Sequence, residues 1–283
     1  MNQSSPILRR WKRLRVAPER NKWVLPAFDK QIFQEKRSRY CVCVFLINEG
    51  QRFRDQLARM RPHLADLDLV VADGGSTDGS ADPELCRQGG ARALLVKKGE
   101  GGLSAQMRMA FAYCLDEQYD GIITIDGNNK DDPSALPSFR KALADGYDHV
   151  QGSRYVPGGH AINTPLVRHY AVTLLHAPLI SLAAGFHYTD TTNGFRAYSR
   201  RMLLDPRVAP FRDVFRAYEL HYYLAIRSAR LGYRCVEIPV TRAYPTHGAT
   251  PTKIRGVRGN ARILRTLLSA TRGAWDPEDT ASV

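Results

Sequence analysis

Among its 283 residues the chain has no CxxC pair, no run of 18 strongly apolar residues and no internal repeat. Five cysteines, Cys41, Cys43, Cys86, Cys114 and Cys235, show no paired framework, and three of them sit in apolar runs. Reduced, buried thiols are therefore expected rather than a disulfide scaffold or a zinc ribbon. The nearest approach to a membrane span, residues 169–186, has no formal charge but holds two histidines and Pro178, so a core or interfacial helix is expected there. The first residues carry RRWKRLR and no continuous apolar segment of the secretory kind, and the protein is expected to face the cytoplasm. Acids are scarce, 28 against 41 Lys and Arg, leaving +13 and a pI near 9.7. That excess suits an anionic partner: nucleic acid, an acidic membrane surface or a phosphorylated substrate. Apart from Trp11 and Trp23, the basic clusters lack the interleaved aromatics that base stacking needs, which weighs against a nucleic-acid-binding protein.

What is present favours one large core, since 43% of the residues are hydrophobic. Strand-like and helix-like periods alternate from residue 40 onward. Strands are expected over 40–47, 67–72, 91–97, 122–125, 149–152, 195–198 and 234–240, and helices over 103–115, 133–144, 166–184, 217–231 and 252–271. Residues 154–161 and 246–251 are punctuated as loops. The alternation predicts an α/β fold with a mostly parallel sheet flanked by helices. The expected organisation is a basic N-terminal extension (1–39), a main domain (40–250), a basic amphipathic C-terminal helix (251–272) and a tail (273–283). In that last helix, Arg255, Arg258, Arg262 and Arg265 share one face, and Ile254, Val257, Ala261, Leu264 and Leu268 another. With RRWKRLR, this helix is a candidate for lying on an anionic bilayer; the alternative is a solvated basic face with its apolar side packed on the domain.

The most informative stretch is IITIDGNNKDDP, residues 122–133, where a strand runs into Asp126, Asn128, Asn129, Asp131 and Asp132. Ligands bind at the carboxyl ends of strands in α/β sheets, so this cluster suits a hard cation or a phosphate bridged by one. The alternative is a polar turn in which Asp132 caps a helix begun by Pro133. A second strand ends in ADGGSTDGS, whose glycines let backbone amides and Asp73 approach a base or ribose; the alternative is a turn with Asp78 or Ser80 as a cap. His160, His169 and His247 show no metal-ligand spacing.

Taken in order, a strand then Asn48-Glu49, a strand then Asp73-Gly74-Gly75-Ser76-Thr77-Asp78, and a strand then Asp126-Gly127-Asn128 resemble the family 2 glycosyltransferases with the A-type nucleotide-sugar fold. Two more segments, GSRYVPGG (152–159) and DTTNGFRAY (190–198), are similar to signatures of the dolichyl- and polyprenyl-phosphate sugar transferases. The resemblance spans roughly residues 40–260. It implies a single-domain, inverting, metal-dependent hexosyltransferase that moves a sugar from GDP-mannose or a UDP-hexose to a polyprenyl or dolichyl phosphate, as a peripheral enzyme of the inner membrane face. A saccharide or small-molecule hydroxyl is the alternative acceptor. By resemblance, Asp73 and Glu49 hold the nucleoside, Asp126 and Asn128 the donor diphosphate through Mg²⁺ or Mn²⁺, and Lys253 its phosphates; Lys130 falls where relatives usually have a neutral polar residue, and its ammonium could contact the pyrophosphate. Ser153, Arg154 and Arg196 are implied on the acceptor side, Arg196 also as a catalytic phosphate contact. A hydroxyl acceptor would need a base, for which Asp190 and Glu219 are the candidates. Asn128 departs from the pattern: an amide oxygen can ligate a cation but adds no negative charge.

Overall fold

The computed structural model describes residues 20–246 and 256–277. Its main sheet has eight strands: β1 (Phe28–Ile32), β2 (Tyr40–Leu46), β3 (Asp68–Asp73), β4 (Ala91–Lys97), β5 (Gly121–Asp126), β6 (His149–Ser153), β8 (Arg196–Ser199) and β9 (Cys235–Pro239), in the order β1-β4-β3-β2-β5-β8-β6-β9. A small parallel pair, β7 (His160–Ile162) with β10 (Thr241–Ala243), lies apart from it. Seven longer helices surround the strands: α1 (Gln51–Met60), α2 (Pro83–Gln88), α3 (Leu103–Asp116), α4 (Leu136–Ala144), α5 (Leu166–Ala184), α6 (Glu219–Arg230) and α7 (Gly256–Thr271).

The central strands are apolar at consecutive positions because both sheet faces are covered. In β2, Val42, Val44 and Leu46 pack toward Phe53, Leu57, Leu136 and Phe139. Cys41, Cys43 and Phe45 alternate to the opposite face, against Met107, Phe111, Cys114 and Tyr198. Helix α3 has twelve consecutive buried residues, Ser104 through Leu115, since it is wedged between the sheet and further elements. A third cluster joins α5, α6 and α7 through Ile180, Ala184, Tyr222, Ile226, Ile263 and Leu267.

Several boundaries differ from expectation. Residues 28–32, expected in a peripheral extension, pair antiparallel with β4, and Trp23 stacks on Phe211 at 3.7 Å. Trp275, expected in a tail, packs against Phe215. The loop expected over 154–161 ends in β7, since the residues it pairs with in β10 lie 81 positions further along the chain (Thr241 opposite His160) and leave no local signal. Helix α7 turns Ile263, Leu267 and Ala270 into the domain, while Ala261 and Leu264 are exposed. The side of α7 that packs on the domain is thus not the face formed by Ala261 and Leu264. RRWKRLR and residues 247–255 lie outside the described residues.

Candidate active site

Strand register brings the chemistry to one edge of the sheet. Leu46 stands opposite Asp73, and Phe45 opposite Asp126, so β2, β3 and β5 end together. Strand β8 runs antiparallel to β5 with Thr124 opposite Arg196, which places residues 193–195 beside Asp126. The Thr124 hydroxyl fixes that approach by donating to the Gly194 carbonyl at 2.9 Å. A methyl group on Gly194 would lie 2.7 Å from Asp126 Oδ1, so the close pass requires glycine.

At the centre is Arg242, from β10. One of its nitrogens donates to Asp126 Oδ2 at 3.0 Å, and the other to Asp131 Oδ2 and, at 3.4 Å, to Asn193 Oδ1. Asp131 is fully buried, and burial raises its pKa despite the arginine. Burial acts the same way on Asp126, but Arg242 and Lys130 outweigh it and hold the carboxyl below its usual range. Lys130 is buried over the Tyr244 ring at 5.1 Å; burial and then Arg242 push its pKa down to about 7. Arg168, on the first turn of α5, reaches the same ring at 5.7 Å. His221 also faces this group, held neutral by burial and then by Arg196, with its pKa pushed down to about 3.

The oxygen donors suit a hard divalent ion. Asp126 and Asn128 lie side by side, with the Asn128 amide donating to Asp126 Oδ2 at 3.4 Å. The second Asp131 oxygen is buried without a hydrogen-bond partner among the described residues. Asp132 turns away, accepting from Ser134 N as the cap of the turn begun by Pro133 and pairing with Arg59. The cap reading of the stretch thus holds for Asp132, while Asp126 and Asp131 are the carboxylates beside Arg242.

Other expected site residues prove to be framework. Arg196 has no exposed surface and spends its guanidinium on the carbonyls of Asn193, Thr191 and His221. It pins the loop before β8 to α6 and is not available to a phosphate. Asp190 is fully buried and gripped through both oxygens by Arg154, at 2.6 and 2.9 Å, which removes it as a general base. Arg154 bonds Thr192 as well and leaves only Nη1 unpartnered among the described residues. Ser153 is buried, sharing a 2.5 Å hydrogen bond with Thr189. Glu219 accepts from the Arg216 and Ala217 amides, at 3.0 and 2.6 Å, and so fixes the entry to α6. The carbonyls of Arg216 and Ala217 in turn accept from Gly102 N and Ser104 N, at the start of α3.

The DGGS loop follows the same pattern. Asp73 is fully buried, accepting from Gly75 N and Ser76 N at 2.8 Å and from the Ser76 hydroxyl. It shapes the loop from beneath, with Gly75 at φ +99°. Asn48 accepts from Thr77 N, and Ser80 accepts from Glu49 N and Gly50 N, which ties the loops after β2 and β3 together. Glu49 pairs with Arg52 at 2.9 Å. Gln106 bridges the strand ends by donating to the Leu46 and Ala72 carbonyls. Lys253 lies outside the described residues. Sequence reasoning missed Arg242 and His221; the one available signal was a lone arginine following the apolar strand CVEIP.

A mostly parallel sheet whose strand ends gather acidic and amide oxygens around buried cations defines an A-type glycosyltransferase fold. The UDP complex of glucosyl-3-phosphoglycerate synthase from Mycobacterium tuberculosis superposes with a TM-score of 0.58 at 19% identity, over 86% of this chain and 82% of that one. A model of the family described as "Glycosyl transferase family 2" matches residues 41–205, and the chain belongs to that family as a hexosyltransferase. It is 31% identical to the undecaprenyl-phosphate mannosyltransferase of Micrococcus luteus, over 69% of this chain and 79% of the relative. The polyprenol monophosphomannose synthase of Mycolicibacterium smegmatis is 27% identical, over 72% and 77%.

Proposed function

We propose that this glycosyltransferase moves a hexose from a nucleotide-diphosphate sugar to a polyprenyl phosphate, inverting the anomeric carbon, while resting on a membrane surface. The observation that carries the choice of acceptor is the state of the carboxylates. Asp126 and Asp131 are paired with Arg242, Asp190 with Arg154, and Glu219 with two amides. Asp126 and Asp190 would have to give up a guanidinium partner to take a proton from a hydroxyl, and Glu219 is engaged at the entry to α6. A phosphate oxygen is ionised at neutral pH and needs no base.

Cation placement fits the same acceptor. Lys130 and Arg168 flank Tyr244 beside Arg242, at the point where α5 begins. That helix is 19 residues long and mostly unburied. Leu166, Val167, Tyr170, Leu174 and Leu182 stand exposed along it. A phosphate held by the cations would thus have its hydrocarbon chain beside an apolar helix at the bilayer surface.

The oxygen donors of Asp126 and Asn128, with Asp131 behind them, would hold Mg²⁺ or Mn²⁺, which would offset charge on the departing diphosphate. Arg242 and Lys130 place two further cations where that charge develops. With Asn128 neutral, the ion should bind weakly until donor phosphates complete its shell. Lys253 remains a candidate phosphate contact.

Radiolabelled GDP-mannose and UDP-glucose, each incubated with polyprenyl phosphate and with the matching polyprenol, test the proposal. Label should enter the organic phase with the phosphate only. Transfer to the free alcohol, or to neither lipid, would refute it.

A further inference from the structure

Far from the catalytic edge, three thiols meet inside the core. Cys41 and Cys43 project from the same face of β2, and Cys114 enters from α3. The Cys114 sulfur lies 3.5 Å from each of the other two, and all three fall within 4.8 Å of one another. All are fully buried. From Cys41 to Leu46, at the site edge, is about 16 Å along the strand at roughly 3.3 Å per residue.

Those separations constrain what fits between the sulfurs. With two sides of 3.5 Å and a third no longer than 4.8 Å, the point equidistant from all three sulfurs lies about 2.0–2.4 Å from each. That range includes ordinary metal–thiolate bond lengths, so an ion could enter with little movement of the backbone.

We infer that Cys41, Cys43 and Cys114 form a three-thiolate site for one soft cation of the copper(I) type. Ligand number selects the ion. Structural Zn²⁺ takes four ligands, and among the described residues no histidine or carboxylate joins the three sulfurs. Soft thiolates in a dry, three-coordinate setting suit copper(I). Loading would release the three S–H protons to solvent, and burial places loading at the time of folding. The ion would tie β2 to α3, the two elements that carry Leu46 and Gln106 to the catalytic edge.

The full chain is expressed in copper-supplemented medium and purified anaerobically. One copper per chain is expected, with X-ray absorption at the copper edge reporting three sulfur neighbours. Cys114→Ser should lose the metal, and Cys235→Ser should keep it. Absence of copper from the wild type, or equal copper in Cys114→Ser, overturns the inference. If Cys114→Ser fails to fold, the wild-type spectrum decides: nitrogen or oxygen neighbours in place of sulfur would refute the site. Transferase activity is not the readout, so this outcome is independent of the acceptor proposal.

Discussion

Replacing Arg242 by methionine keeps much of the side-chain volume and removes the cation between Asp126 and Asp131. Asp131 is fully buried, and the Arg242 side chain is 6% exposed. Breaking a buried pair from one side leaves an uncompensated charge, at about 3–5 kcal/mol. For a domain of this size that lowers the melting midpoint by roughly 6–20 °C. The loss should depend on pH with a definite sign. Without the arginine, the Asp131 pKa, already raised by burial, goes further up and Asp126 loses the larger of the charges that hold it down, so the folded variant binds more protons. Its stability therefore falls as pH rises through the raised pKa and recovers toward pH 5. Arg242→Lys, which restores a point charge without the fork, should regain only part of the loss. Millimolar Mn²⁺ should stabilise Arg242→Met more than the wild type if the oxygens gather a cation. Urea unfolding at pH 7.5 and 5, with and without Mn²⁺, measures all of this. A loss below about 1 kcal/mol, or the same loss at both pH values, would refute the assignment of Arg242 as the internal counter-ion.

Three further outcomes follow from the same geometry. His149 is fully buried, and burial, then Arg196, holds its pKa well below the usual value, so the unfolded chain binds the extra proton below pH 6.5. Stability should fall with pH through that range by up to about 1.4 kcal/mol per unit, a slope that His149→Gln should flatten in urea titrations. Gly194→Ala forces a methyl group to 2.7 Å from Asp126 Oδ1; it should cost roughly 1–3 kcal/mol and cut transfer at least a hundredfold, and unchanged kinetics would contradict the close pass. The double variant Leu174→Asp, Leu182→Asp alters residues that are 72% and 85% exposed. Its unfolding should stay within about 0.5 kcal/mol of wild type while sedimentation with anionic vesicles drops, and undiminished sedimentation would remove α5 from the membrane surface.

The alternation of apolar runs with polar exits located the strands and helices, because periodicity is a property of neighbouring residues. It also carried Asp126 and Asn128 to a strand end and Asp132 to a helix cap. For the same reason, the motifs DGGSTDGS, GSRY and DTTNGFR marked the edge of the sheet where the site lies. Their internal roles were not legible. A carboxylate written in sequence can face a ligand, cap its own loop or satisfy a buried arginine. Only packing decided that Asp73 supports its loop, Asp190 neutralises Arg154 and Arg196 braces three carbonyls.

Arg242 lies 116 residues from Asp126 and 111 from Asp131, and reaches both only because β10 pairs with β7 and bridges to Asp131. The burial that joins these charges arises from long-range contacts, which no local pattern encodes. The sequence by itself therefore determined the family, the order of the elements and the edge that holds the chemistry. Tertiary structure alone decided which charges remain for a ligand, because each one's availability depends on partners brought from elsewhere in the chain.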